Sequence, residues 1–194
     1  MFWRLRGPEF DYGWGRGDGS GNRAGLAALV AKGPPPGLIA YVDGEPAAWC
    51  SLGPRTEFVR LEHSPTLGAV DDKPVWSIVC FYIHGDYKRQ GLGSALLEAA
   101  VVYARDRGAT VVEGYPVKPG HVDPFTGFES MFRDAGFRLV REGKGKGRSV
   151  MRRTIRRGGR RATDPARTPR RAEIPGYRVR RRAPARHVGR DAPR

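Results

Sequence analysis

The stretch Val75 to Arg107 constrains the chain more than any other. Val75-Trp76-Ser77-Ile78-Val79-Cys80-Phe81-Tyr82-Ile83 is a short apolar run rich in β-branched and aromatic residues. That length and content predict a strand. A polar loop with glycines follows, His84 to Gly93. The segment Ser94 to Arg107 then reads as helix. Leu92, Leu96, Ala100 and Ala104 recur at i, i+4, with Leu97 and Val101 beside them. Gly108 is a helix stop, and Arg105 and Arg107 sit where cations suit the helix dipole. Strand, glycine loop and helix N-terminus together make a geometry that binds phosphate, because unpaired N–H groups and the dipole both face the anion.

The loop Tyr87-Lys88-Arg89-Gln90-Gly91-Leu92-Gly93-Ser94 narrows this. Gly91 and Gly93 let backbone approach a phosphate without a Cβ in the way. Lys88 and Arg89 add positive charge. A lone Gly-x-Gly also serves a plain strand–helix turn, so both readings stand on the loop alone. A dinucleotide fingerprint is excluded, since its third glycine would fall at Leu96. A P-loop is excluded too, because Gly93 is followed by Ser94-Ala95 rather than Lys-Ser/Thr.

Around this unit the chain alternates strand and helix signals. Residues 1–21 are glycine-rich with scattered aromatics and are expected to be irregular. Asn22 caps an expected helix, Arg23 to Lys32, ended by Gly33 and three prolines. Leu38 to Val42 and Pro46 to Ser51 flank Asp43-Gly44, a two-residue hairpin turn. The connection 52–74 is long for a compact domain and carries an expected helix, Arg55 to Glu62. It either walls an acceptor pocket or is a surface insertion. A strand is expected at Thr110 to Tyr115 and a helix at Phe125 to Ala135, with Phe125, Phe128, Phe132 and Ala135 on one face. Phe137 to Val140 is a strand, and Ser149 to Ile155 a final edge strand.

Charge divides the chain. Residues 151–194 hold sixteen arginines and three acids, +13 of the net +15. Residues 156–194 are Arg-, Pro- and Ala-rich and are expected to be a disordered tail, because they hold too little apolar surface to offset ordering entropy. Nucleic acid is expected as a partner only through this tail, which has one aromatic, Tyr177, for base stacking. The tail is expected to be dispensable for catalysis. Cys50 and Cys80 lie in apolar runs and read as buried hydrophobes of a reducing compartment. No signal peptide or transmembrane run is expected, which points to a cytoplasmic protein without a membrane partner. The histidines and cysteines show no metal-ligand spacing.

The loop Lys88-Arg89-Gln90-Gly91-Leu92-Gly93 resembles the pyrophosphate loop Q/R-x-x-G-x-G/A of the GNAT superfamily of N-acetyltransferases. Lys88 stands at the usual Gln or Arg position, keeping charge but losing a planar donor. The hairpin at 38–51 and the helix running into Gly136-Phe137 fit the same family, so the likeness covers roughly residues 25–153. Ala48-Trp49-Cys50-Ser51, Pro54-Arg55 and Glu113-Gly114-Tyr115-Pro116 are similar to a bacterial branch of unassigned substrate. The resemblance implies an α/β fold with a mixed, mostly antiparallel sheet flanked by helices, over residues 1–155.

It also implies acetyl-CoA as cosubstrate and a primary amine, on a small molecule or protein, as acceptor. Phe81, Tyr82, Ile83, Lys88, Arg89, Gln90, Gly91, Leu92, Gly93 and Ser94 would then bind the cosubstrate. Backbone N–H around Cys80 to Ile83 would stabilise developing negative charge. Strand alternation puts Glu113 and Tyr115 on one face, where they are the candidate base and acid. Each also has a bland reading, an ion-paired strand end and a core aromatic. Phe132 stands where many relatives keep an acid Tyr, and the central strand lacks the Glu that many keep. His84, His121 and Asp123 are further loop candidates. The rival readings are a catalytically silent acyl-CoA sensor and a nucleic-acid binder acting through the tail. A homodimer stays open.

Overall fold

Strand alternation and turn chemistry resolve into one six-stranded sheet in the computed structural model, which describes residues 3–4, 20–120, 125–145 and 147–155. Helix α1 (Ser20–Lys32) precedes the hairpin of β1 (Gly37–Val42) and β2 (Glu45–Pro54). Asp43 and Gly44 both take positive φ, 50° and 91°, the turn geometry that matches the twist of paired strands. The expected helix at 55–62 is instead a 3-10 turn (Arg55–Glu57) and a short α2 (Val59–Glu62), broken at Phe58. Then come β3 (Trp76–Ile83), α3 (Leu92–Asp106), β4 (Val111–Gly114), α4 (Glu129–Asp134), β5 (Arg138–Arg141) and β6 (Val150–Thr154).

The strand order is β1-β2-β3-β4-β6-β5. All neighbours are antiparallel except β3 and β4, whose parallel pairing requires the α3 crossover. That pairing covers only Trp76–Ile78 against Val112–Gly114. Strand β3 continues to Ile83 after β4 has ended. On its other side β3 follows β2, with a bulge at Val79 where the register slips between Ser51 and Leu52.

Asn22, expected as a cap, lies inside α1, and two later expectations are corrected as well. The last strand is not an edge. Strand β6 lies between β4 and β5, and β5 is the edge strand. Arg152 and Arg153, which lie in β6, pair with Glu113, Asp71 and Glu98. The second correction concerns α4, which begins at Glu129 rather than Phe125. Gly127 sits at φ 80°, outside helical geometry, and Phe125 and Phe128 are 47% and 37% exposed, while Phe132 is buried.

The sheet has a core on each face. On one face α3 buries Leu92, Leu96, Leu97, Ala100 and Ala104, joined by Phe132 of α4. Gly114 makes room for the Phe132 ring, because a Cβ there would lie 2.1 Å from its Cε1. On the other face Phe58, Leu61 and Leu67 of the 55–74 connection cover Val79, Tyr115 and Val150. The charged tail 156–194, the loop residues His121 and Asp123, and most of the glycine-rich start lie outside the described residues.

Candidate active site

The parallel crossover delivers the N-terminus of α3 to the C-terminal end of β3. Gly91 takes φ 82°, ψ 0° at the N-cap, so α3 starts two residues earlier than periodicity suggested. Its carbonyl accepts the Ala95 N–H at 3.0 Å. The N–H groups of Leu92, Gly93 and Ser94 therefore precede the first intrahelical bond. Among the described residues no side chain caps them. The loop residues Lys88, Arg89 and Gly91 are exposed, as is Ser94. Leu92 is buried in the core, so only its backbone faces the loop. Gln90 donates to the Asp86 carbonyl at 3.0 Å, bracing the turn. Gly93 lets α3 pack on the end of β3, where an added Cβ would meet Met131 Sδ at 3.3 Å and Ile83 Cδ1 at 3.5 Å. An uncapped fifteen-residue helix beside two exposed cations fits a pyrophosphate.

The end of β3 adds backbone donors of mixed availability. Phe81 donates its N–H to the Phe125 carbonyl at 2.6 Å, and its ring is in the core. Alternation turns the Ile83 amide to the same side of β3, where β4 has already ended. Tyr82 is exposed and Ile83 half-buried.

Glu113 and Tyr115 come together as alternation predicts, but away from solvent. Both are 0% exposed. Tyr115 donates to Glu113 Oε1 at 2.6 Å. Arg55 Nη1 donates to Glu113 Oε1 and to Tyr115 Oη, each at 2.8 Å, and the Ser77 hydroxyl is 2.8 Å from Tyr115 Oη. Arg152 Nε donates to Glu113 Oε2 at 2.6 Å. One carboxylate thus lies between two guanidinium groups. Burial first, then the Glu113 charge, pushes the Tyr115 hydroxyl well above the ordinary phenol range. Arg152 also donates to Asp71 at 2.9 Å. That hydrogen bond is the main reason the Asp71 carboxyl is held below its usual range.

The other candidates separate. His84 is exposed, 3.5 Å from Asp86. Cys50 is buried, and burial pushes its thiol far up. Phe132 packs edge-on against Phe81 and Phe137, with no polar group of its own to donate. Sequence reasoning did not single out Arg55, Ser77, Asp71 or Arg152 as members of one cluster. Their partners are 38 to 81 residues away in the chain, and no local pattern signals that. Among the described residues no three His, Cys, Asp or Glu side chains are placed to hold a metal ion, and no helix is long and apolar enough to cross a membrane.

A mixed six-stranded sheet flanked by helices, with a crossover helix opening at the end of its central strand, is the GNAT acyltransferase fold. The chain belongs to the acetyltransferase (GNAT) family, whose sequence model matches residues 2–118. No curated protein matches it. Among solved structures it is similar to the ribosomal-protein-S18-alanine N-acetyltransferase from Escherichia coli. The identity is 18% over 71% of this chain and 81% of that one, with a TM-score of 0.42. It is also similar to the PaiA N-acetyltransferase from Thermoplasma acidophilum, solved in complex with coenzyme A. There the identity is 14% over 78% and 81%, with a TM-score of 0.47. Likenesses this distant transfer no acceptor to this chain.

Proposed function

We propose that this protein transfers acetyl from acetyl-CoA to a primary amine by direct attack. The observation that carries the reading is the uncapped N-terminus of α3, set where β3 outruns β4. Acetyl-CoA supplies an acyl group activated as a thioester. Lys88 to Ser94 hold its pyrophosphate through backbone N–H and two cations. The stretch Phe81 to Ile83 lines the thioester arm, and the Ile83 amide donates to the oxygen on which negative charge develops.

The amine must shed a proton and the thiolate gain one. We assign Glu113 and Tyr115 a narrower part than base and acid. Glu113 is locked between Arg55 and Arg152, and a phenol pushed up by burial keeps its proton. Both act as positioning residues where β3 and β4 part, and the protons exchange with water. In this reading Tyr115→Phe and Glu113→Gln lower thermal stability but leave the pH at which kcat/KM rises within about 0.3 units of its original value. Loss of the acidic limb in Glu113→Gln would instead make Glu113 the base.

The burial of this pair also favours a second reading, an acyl-CoA sensor without turnover. Thiol release from acetyl-CoA across an amine panel, beside calorimetric binding of CoA, separates the two. Binding without release on any amine identifies the sensor.

A further inference from the structure

Strand β3 pairs with β4 only as far as Ile78, and the chain itself fills part of the gap that opens beyond. The Phe81 N–H is held by the Phe125 carbonyl at 2.6 Å. The turn that brings Phe125 there is tied on two further sides. Val117, in the chain running on from β4, donates its N–H to the Gly127 carbonyl at 2.9 Å, and its carbonyl accepts the Glu129 N–H at 3.0 Å. Thr126 is buried, and its hydroxyl accepts from Arg148 Nε at 3.3 Å. The Ser149 hydroxyl donates to Glu129 Oε1 at 2.6 Å. The segment 125–129 is thus fastened to β3, to the continuation of β4 and to the β5–β6 connection at once.

One side chain extends this barrier. A Cβ added at Gly127 would lie 2.6 Å from Met131 Cε, and one added at Gly93 would lie 3.3 Å from Met131 Sδ and 3.5 Å from Ile83 Cδ1. The Met131 thioether therefore reaches from the first turn of α3, beside Ile83, to the turn at Gly127. It is half-buried and packs on the core from one side. Phe132 and Phe81 close the space behind Gly127, where the same added Cβ would lie 3.1 and 3.6 Å from their Cε2 atoms.

We propose that the Phe125–Gly127 turn and Met131 form the closed inner end of the thioester slot and restrict the donor to a short acyl chain, acetyl or propionyl. The inference rests on the transferase reading above. With the pyrophosphate at the start of α3, the thioester arm enters from beyond Ile83 and runs back along β3. With the carbonyl oxygen on the Ile83 amide and the sulfur outward, the planar thioester turns its alkyl group inward, toward Phe81. The two amides are two residues apart, roughly 7 Å of strand. A van der Waals contact with the Phe125 carbonyl takes about 3.5 Å of that. What is left accommodates one or two carbons beyond the thioester carbonyl. A third meets a backbone that its hydrogen bonds hold in place, and packed surroundings resist an inserted methylene.

The test uses the full chain with acetyl-, propionyl- and butyryl-CoA, following thiol release with the amine panel. A break of at least about tenfold in kcat/KM is expected between propionyl and butyryl, the worth of one methylene that does not fit. Met131→Ala is expected to raise the butyryl-to-acetyl ratio at least about tenfold by lengthening the slot. Thr126→Val keeps the volume and cuts the Arg148 bond, so it loosens the turn and shifts the ratio the same way. Melting temperatures confirm that each variant folds. A merely structural role would lower all three donors in proportion and leave the ratio where it was, and that result overturns the proposal. Butyryl-CoA turned over within about threefold of propionyl-CoA by the unaltered protein overturns it too, and leaves the transferase reading standing. Calorimetric binding of the three acyl-CoAs without amine gives the separate readout. If no amine turns over, yet butyryl-CoA binds at least about tenfold more weakly than acetyl-CoA and Met131→Ala removes the gap, the transferase reading fails and the slot stands. Equal binding of all three with no turnover sinks both.

Discussion

Arg55→Met is expected to destabilise the fold by about 3–5 kcal/mol, the cost of removing one partner from a buried charge cluster. Arg55 is 6% exposed, and both of its Nη atoms are hydrogen-bonded. Nη1 serves Glu113 and Tyr115, and Nη2 serves the carbonyls of Leu61 and Leu67, while Nε lies 2.9 Å from Glu62 Oε1 as an ion pair without hydrogen-bond geometry. Methionine keeps much of the volume and the unbranched stem, so cavity formation is minimised and the polar loss dominates. What remains is a fully buried carboxylate with Arg152 as its one counter-charge and the Tyr115 hydroxyl as its other donor, a phenol short of one partner, and two carbonyls cut from their donor. A domain of this size holds roughly 5–15 kcal/mol in total, so the variant should unfold at a far lower urea concentration. The double variant Arg55→Met/Glu113→Leu should recover part of the loss, because it removes the stranded charge as well as its partner. Equilibrium urea denaturation of the four proteins closes the cycle. A cost below about 1 kcal/mol for Arg55→Met would show that water, not Arg55, satisfies Glu113.

What could be read from the chain and what could not follows the distance over which each feature is determined. The unit of strand, glycine loop and helix at 76–106 was legible because strand, turn and helix start are contiguous. Each of their signals, the β-branched run ending at Ile83, Gly91, and the i, i+4 leucines, acts within a few residues. The hairpin at Asp43-Gly44 was legible for the same reason. The place of β6 was not. Its arginines are held by Glu113, 39 residues before Arg152, and by Glu98, 55 residues before Arg153, partners that no local pattern shows. The aromatic face drawn over 125–135 failed at one backbone angle, the positive φ of Gly127, which periodicity alone does not register. At the site, alternation placed Glu113 beside Tyr115 correctly. It said nothing of depth, because depth is set by the 55–74 connection folding over that face with Arg55 beneath it. Proton-transfer chemistry depends on that depth, so the part open to Glu113 and Tyr115 is set by the 55–74 connection rather than by strand alternation.

Gly91→Glu is expected to weaken acetyl-CoA binding at least about 100-fold, equivalent to roughly 2.7 kcal/mol. Two effects add. Gly91 stands at φ 82°, where an L-residue costs about 1–2 kcal/mol, so the substitution strains the turn or moves the start of α3. The new carboxylate then lies at the positive end of the helix. It competes for the N–H groups of Leu92, Gly93 and Ser94, and it repels the pyrophosphate they would hold. Gly91→Asn separates the two effects. Asparagine accepts the left-handed region and carries no charge, so it should lose only about tenfold or less by the same strain argument. Calorimetric titration of the three proteins with acetyl-CoA at 50 and 200 mM salt gives the ordering. The gap between Glu and Asn should narrow at high salt, because the repulsion is screened and the strain is not. Circular dichroism shows whether α3 survives in each variant. Unchanged affinity in Gly91→Glu, with the helix intact, would remove the pyrophosphate from this loop and with it the observation on which the transferase reading is built.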